Sequence, residues 1–167
     1  MAVKDDTRKI SYSKRQTSQE INLKDVLGRK PTPEEKSRFV EEAVDRIINR
    51  TQSGKQLTNV NFKRYSEEYA EQKGVSPSDV DMTLLGDMLE SVKELSARGN
   101  KVRYGIDGGV DAKKSFNHNT GDTLPKRTWF GLTKKEAKEI GQRIKSEEEE
   151  ENERVLSDIA SRNTRNN

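Results

Sequence analysis

Catalysis needs side chains that move protons, attack electrophilic carbons or hold metals, and this chain supplies few of them. Its 167 residues include one histidine, His118, and no cysteine. His118 lies in Asn117-His118-Asn119, with no carboxylate beside it in sequence to orient the imidazole as a base. Neither a Gly-x-Ser-x-Gly elbow nor a paired-histidine helix motif occurs, so nucleophilic catalysis of the Ser-His or Cys-His kind finds no support. The carboxylates of Asp107, Asp111 and Asp122 miss the spacing of a calcium loop, which leaves a Mg²⁺ site built from distant carboxylates as the one metal chemistry the sequence keeps open. Gly105-Ile106-Asp107-Gly108-Gly109 has the outline of a phosphate loop. It lacks the Gly-Lys-Ser/Thr ending and shows no clear helix start behind it, and it reads as a turn. The expectation is a chain that is not an enzyme and carries no cofactor or metal.

Binding functions are narrowed by charge. The chain has 32 basic and 29 acidic residues, a net charge of +3, so its 37% charged residues are mixed in sign. Bulk charge therefore does not argue for nucleic acid. No zinc-finger spacing, basic zipper or aromatic RNA-binding strand pair occurs, and no specific nucleic-acid contact is expected. The alternative function is a small nucleic-acid-binding or regulatory protein using residues 4–30 as a basic arm. No window approaches the roughly 20 apolar residues needed to span a bilayer, and no membrane partner is expected. The absence of cysteine suits assembly in a reducing cytoplasm.

The elements that would position any site follow from periodicity. With 29% hydrophobic residues, part of the chain should lie outside the core. Residues 1–30 are polar, with scattered Ile10, Tyr12, Ile21, Leu23, Val26 and Leu27, and read as an extended arm. At Thr32-Pro33-Glu34-Glu35 a capping box with proline in first position opens a helix. Phe39, Val40, Ala43, Val44, Ile47 and Ile48 then recur every three or four residues until Gln52-Ser53-Gly54 ends it. A second helix is predicted over residues 61–74, with Phe62, Tyr65 and Tyr69 on one face as core rather than as a base-stacking platform. Residues 82–92 permit a helical turn leading into a strand. The runs on either side of Gly99-Asn100, with Val102, Tyr104 and Ile106 alternating against Lys101, Arg103 and Gly105, predict a β-hairpin with one wet face. Residues 113–122 are polar, with His118 between two Asn residues. Thr133-Lys134-Lys135-Glu136 is a second capping box, opening a helix with Ala137, Ile140 and Ile144 on one face. The run Glu147 to Glu151 then suggests a solvated helical extension that frays. The expected fold is α+β: a long N-terminal helix and a C-terminal helix on a small antiparallel sheet, with extended N- and C-terminal arms. Its parts are an arm over 1–30, a domain over 31–145 and a charged extension over 146–167.

Four parts of the chain, taken in order, carry a family likeness. Leu84-Leu85-Gly86-Asp87-Met88-Leu89-Glu90-Ser91, the hairpin around Gly99-Asn100, Phe116-Asn117-His118-Asn119-Thr120-Gly121, and Leu124-Pro125-Lys126-Arg127-Thr128-Trp129-Phe130-Gly131-Leu132 follow one another in that order. In that order they resemble the tail-completion and head-tail joining proteins of tailed phages, the virion morphogenesis group. The likeness covers about residues 33–145. It departs at Leu85, where threonine is usual, and at Thr128, where a second proline is common. It implies a structural protein of the virion neck or tail, with no catalytic residues. It also implies a homo-oligomeric ring, most simply a hexamer, that contacts connector or adaptor proteins and tail tube or sheath proteins. The structural and interface candidates it points to are Leu84, Gly86, Leu89, Leu124, Pro125, Arg127, Trp129, Phe130 and Gly131, with Arg127 the candidate for a contact between subunits. Independently of the likeness, Pro125 fixes its own φ and holds Leu124 extended, so residues 124–128 are expected to run as an edge segment that seats Trp129 and Phe130.

Overall fold

The computed structural model describes residues 9–80 and 86–165. The fold is α+β. A four-stranded antiparallel sheet has the order β1-β2-β4-β3, formed by β1 (Lys9–Tyr12), β2 (Gln16–Asn22), β3 (Lys93–Arg98) and β4 (Lys101–Asp107). The predicted hairpin is the β3–β4 pair, turning at Gly99 with φ of 58°. Register pairs Thr17 with Ile106, Gln19 with Tyr104 and Ile21 with Val102, so these six side chains share one face. That face packs against α2 (Pro33–Gln52) and α5 (Gly109–Thr120), and α6 (Lys134–Arg165) packs on α2. The opposite face carries Lys9, Glu20, Lys101 and Arg103, joined by ion pairs and hydrogen bonds: Lys101 reaches Glu20 at 3.5 Å and Arg103 donates to Gln16 at 2.6 Å. It is the wet face expected of the hairpin.

The expected N-terminal arm is corrected. Residues 9–27 form β1, β2 and the short α1 (Leu23–Leu27), and Ile21, Leu23 and Leu27 are core. Burying each of these aliphatic side chains contributes about 1.5–3 kcal/mol. The strand escaped pattern reading because two of its three inward positions are polar: Thr17 and Gln19 are fully buried. Their polar atoms find partners inside. Thr17 Oγ1 is 2.8 Å from Ser115 Oγ on α5. The domain therefore begins before residue 31, and β2 is a central strand of its sheet.

The long helix α2 starts as its sequence dictates. Thr32 Oγ1 accepts from Glu35 N, and the Glu35 carboxylate accepts from Thr32 N at 3.0 Å. Its stripe of Phe39, Val40, Ala43 and Ile47 is buried. The helix predicted over 61–74 is shorter: α3 (Glu67–Lys73) begins after its cap Ser66 and stops at left-handed Gly74. Phe62 and Tyr65 precede it and are buried as loop residues, whereas Tyr69 is exposed. The turn into a strand expected at residues 82–92 is α4 (Gly86–Glu90), followed by β3.

Further expectations are overturned. The polar run over 113–122, where no helix is predicted, lies mostly within α5, and Gly105 to Gly109 leads straight into that helix, with Gly108 as its N-cap. Asn and Ser hid the helix because they compete with the backbone for hydrogen bonds. Here Asn119 points inward and donates back to Ser115 O at 2.8 Å. The C-terminal extension does not fray after its glutamates: α6 is unbroken to Arg165. Residues 124–128 are no sheet edge. They cross from α5 to α6 as irregular chain, with Arg127 N donating to His118 O and Thr128 O accepting from Leu57 N.

Candidate assembly interface

The segment between α5 and α6, where most of the expected interface residues cluster, is held from three sides. Asn119 Oδ1 accepts from Trp129 N at 3.0 Å and from Phe130 N at 3.1 Å. The Gln19 amide of β2 clamps Leu132, its Nε2 donating to Leu132 O at 3.0 Å and its Oε1 accepting from Leu132 N at 2.7 Å. Tyr104 Oη donates to the same Oε1 at 2.5 Å. Burial, with the Glu136 carboxylate adding, pushes the Tyr104 hydroxyl well above its usual pKa, so it remains a donor. From α2, Arg50 Nη2 donates to Trp129 O at 2.9 Å and Gly131 O at 2.7 Å, while Nη1 meets both Glu136 oxygens at 2.8 Å. The backbone of Trp129 to Leu132, which has no secondary structure, thereby finds partners in side chains from other elements.

This geometry makes the cluster interior. Trp129 and Phe130 are fully buried and meet edge to face at 5.6 Å. Gly131 has φ of 115°, and a Cβ there would sit 2.7 Å from Ile10 Cδ1. Arg127, expected as a contact between subunits, is only 5% exposed. It donates to Lys63 O and Arg64 O and lies 5.1 Å from the Tyr65 ring centroid. Burial lowers its pKa, with Tyr65 and Tyr69 opposing. Its guanidinium is committed to tying residues 63–65 to the α5–α6 segment, which leaves it unable to reach a neighbour. Leu89 is buried on α4, Gly86 opens that helix, and Leu124 and Pro125 are exposed. Leu84 lies outside the described residues.

Sequence reasoning missed the α2–α6 contact. The two helices run antiparallel, and ion pairs join them rung by rung: Arg50 to Glu136 at 2.8 Å, Arg46 to Glu139 at 2.5 Å, Glu42 to Arg143 at 3.2 Å, and Arg38 to Glu147. Arg29 extends the series, reaching Glu35 at 2.8 Å and Glu148 at 2.6 Å. The signal was present as opposite charges recurring every three or four residues on both helices. The first two of the five consecutive glutamates thus belong to this ladder.

Beyond Glu148 the helix leaves the body. Ile144 is its last buried residue, and residues 149–165 are exposed throughout, a rod about 25 Å long. Val155, Leu156 and Ile159 occupy one turn of it and are 47, 66 and 50% exposed. On an isolated chain this rod has no packing to stabilise it, and its apolar turn is left uncovered.

Little chemistry is assembled elsewhere. Among the described residues no group of three or more His, Asp or Glu side chains converges as a metal ion would require. No described helix is long and apolar enough to cross a membrane. His118 is partly buried on α5, its Nδ1 without a hydrogen-bond partner. Burial, then the charges of Arg127 and Lys114, lower its pKa to about 4, so it is neutral at physiological pH. No protein-family model, curated protein or solved structure matches the chain.

Proposed function

We propose that the chain is a structural virion protein of a tailed bacteriophage. In this reading, copies form a ring at the neck or upper tail, most simply of six, in a head-tail joining, tail-completion or tail-terminator role, and the protein is not an enzyme. The observation that carries the reading is the exposed rod of α6, braced at its root by five basic–acidic contacts and bearing an apolar turn that the chain's own body does not cover. An element of this kind suits assembly: its root is rigid and its surface is left for another molecule. The motif order from Gly86 to Leu132 supports the specific placement, with connector or adaptor proteins and tail tube or sheath proteins as neighbours. The competing nucleic-acid reading needs residues 4–30 as a free basic arm, and residues 9–27 are spent on the sheet and α1.

A nonsense mutation in the corresponding phage gene tests the proposal. Lysates of a nonpermissive host are expected to hold DNA-filled heads and separate tails, or tails of uncontrolled length, when imaged by electron microscopy. Complete infectious particles formed without the protein would overturn it.

A further inference from the structure

A groove runs between α2 and the edge strand β3, with a volume of about 660 Å³. Val40, Val44 and Val92 form its apolar floor, and Glu41, Asp45 and Glu94 rim it against the single cation of Lys93. Glu41, Asp45 and Glu94 are exposed. The rod begins acidic, with Glu149, Glu150, Glu151 and Glu153, but its end has the opposite character to the groove: from Arg154 onward it carries Arg154, Arg162 and Arg165 around the apolar turn, against Asp158. Val155, Ile159 and Arg162 fall four and three residues apart and share one helical stripe.

We propose that the rod of one copy docks in the α2–β3 groove of the next, Val155, Leu156 and Ile159 covering the valine floor and Arg154 and Arg162 meeting the acidic rim. A rod cannot fill its own groove, because α6 is unbroken and contains no glycine after Gly141 and no proline, so nothing lets it turn back. Both halves of the contact are on every copy, and they are different surfaces. Such a contact is heterologous: it propagates head to tail and closes into a ring where the rotation allows. A parallel pairing of two rods would instead set Glu149, Glu150, Glu151 and Glu153 of one against the same residues of the other, which like-charge repulsion opposes. The inference rests on the ring reading above and specifies its contact.

Sedimentation of the full-length protein tests it with two variants at exposed positions. Leu156→Asp disables the rod, and Glu41→Lys with Asp45→Lys disables the groove; circular dichroism and unchanged unfolding midpoints confirm that both fold. Wild-type protein is expected to self-associate, and each variant to do so about tenfold more weakly or less. An equimolar mixture of the two variants is expected to form a heterodimer at wild-type affinity, since one intact rod still meets one intact groove. Self-association that neither variant weakens overturns the contact while leaving a ring possible through other surfaces. Loss in the rod variant alone, with no recovery on mixing, shows rod-to-rod pairing and overturns the groove. A wild type that stays monomeric overturns the contact between copies. Location of the protein in the virion is read separately and decides the ring reading itself.

Discussion

Arg50 is the side chain whose removal should be felt most. It is 8% exposed and serves four acceptors: both oxygens of Glu136 at 2.8 Å, Trp129 O at 2.9 Å and Gly131 O at 2.7 Å. Arg50→Met keeps much of the volume but leaves the Glu136 carboxylate, 18% exposed, without its cation and two carbonyls in the interior without donors. Breaking a buried ion pair from one side costs about 3–5 kcal/mol. Glu136 keeps its contact with Thr133 N at 2.8 Å, which moderates the loss, while each orphaned carbonyl adds about 1 kcal/mol or more. A loss of about 4 kcal/mol is expected, a large share of the 5–15 kcal/mol typical of a domain. Equilibrium urea unfolding followed by circular dichroism and by Trp129 fluorescence measures it. Arg50→Lys retains charge but loses the fork, and should fall between wild type and Arg50→Met. A double-mutant cycle with Glu136→Gln should give a coupling of at least about 1 kcal/mol. A loss below about 1 kcal/mol for Arg50→Met would refute the view that this arginine organises the α5–α6 segment.

Three further perturbations follow from the same contacts. Gln19→Leu leaves Leu132 N, Leu132 O and Tyr104 Oη without partners and should cost about 2–4 kcal/mol in the same unfolding assay. Gly105→Ala places a Cβ 1.9 Å from Thr17 O, inside backbone that cannot yield, so β2 should detach from β4 and amide exchange along β2 should rise sharply. The His118 pKa falls from about 6.5 unfolded to about 4 folded, so the unfolded chain binds the extra proton between those values. The stabilisation is complete above pH 6.5 and is lost as the pH falls toward 4. Going from pH 7.5 to pH 5 should remove about 1–2 kcal/mol, and His118→Gln should flatten that slope.

Much of the fold was written in apolar periodicity. The Thr32 and Thr133 capping boxes, the stripe from Phe39 to Ile47, and the alternation of Val102, Tyr104 and Ile106 all locate elements where the structure has them. What escaped reading shares one physical cause: buried polar side chains satisfied by partners distant in sequence. Gln19 meets Leu132 across 113 residues, Thr17 meets Ser115 across 98, and Arg50 meets Gly131 across 81. Locally such residues look like surface, so neither β2 nor α5 is predicted. Arg50 gave one hint, since it continues the Ala43 and Ile47 stripe at a spacing of three. For the candidate interface, the motif likeness drew attention to Arg127, Trp129 and Phe130, which the structure buries. The exposed turn at Val155, Leu156 and Ile159 stood in plain sequence but read as the decoration of a fraying tail.

The central claim is that this protein is part of the particle. Gold-labelled antibodies against it, applied to intact phage and to detached tails and imaged by electron microscopy, test that most directly. The account predicts label confined to the head-tail junction or the upper end of the tail. Particles that carry no label, and no peptides of the protein by mass spectrometry, would contradict it.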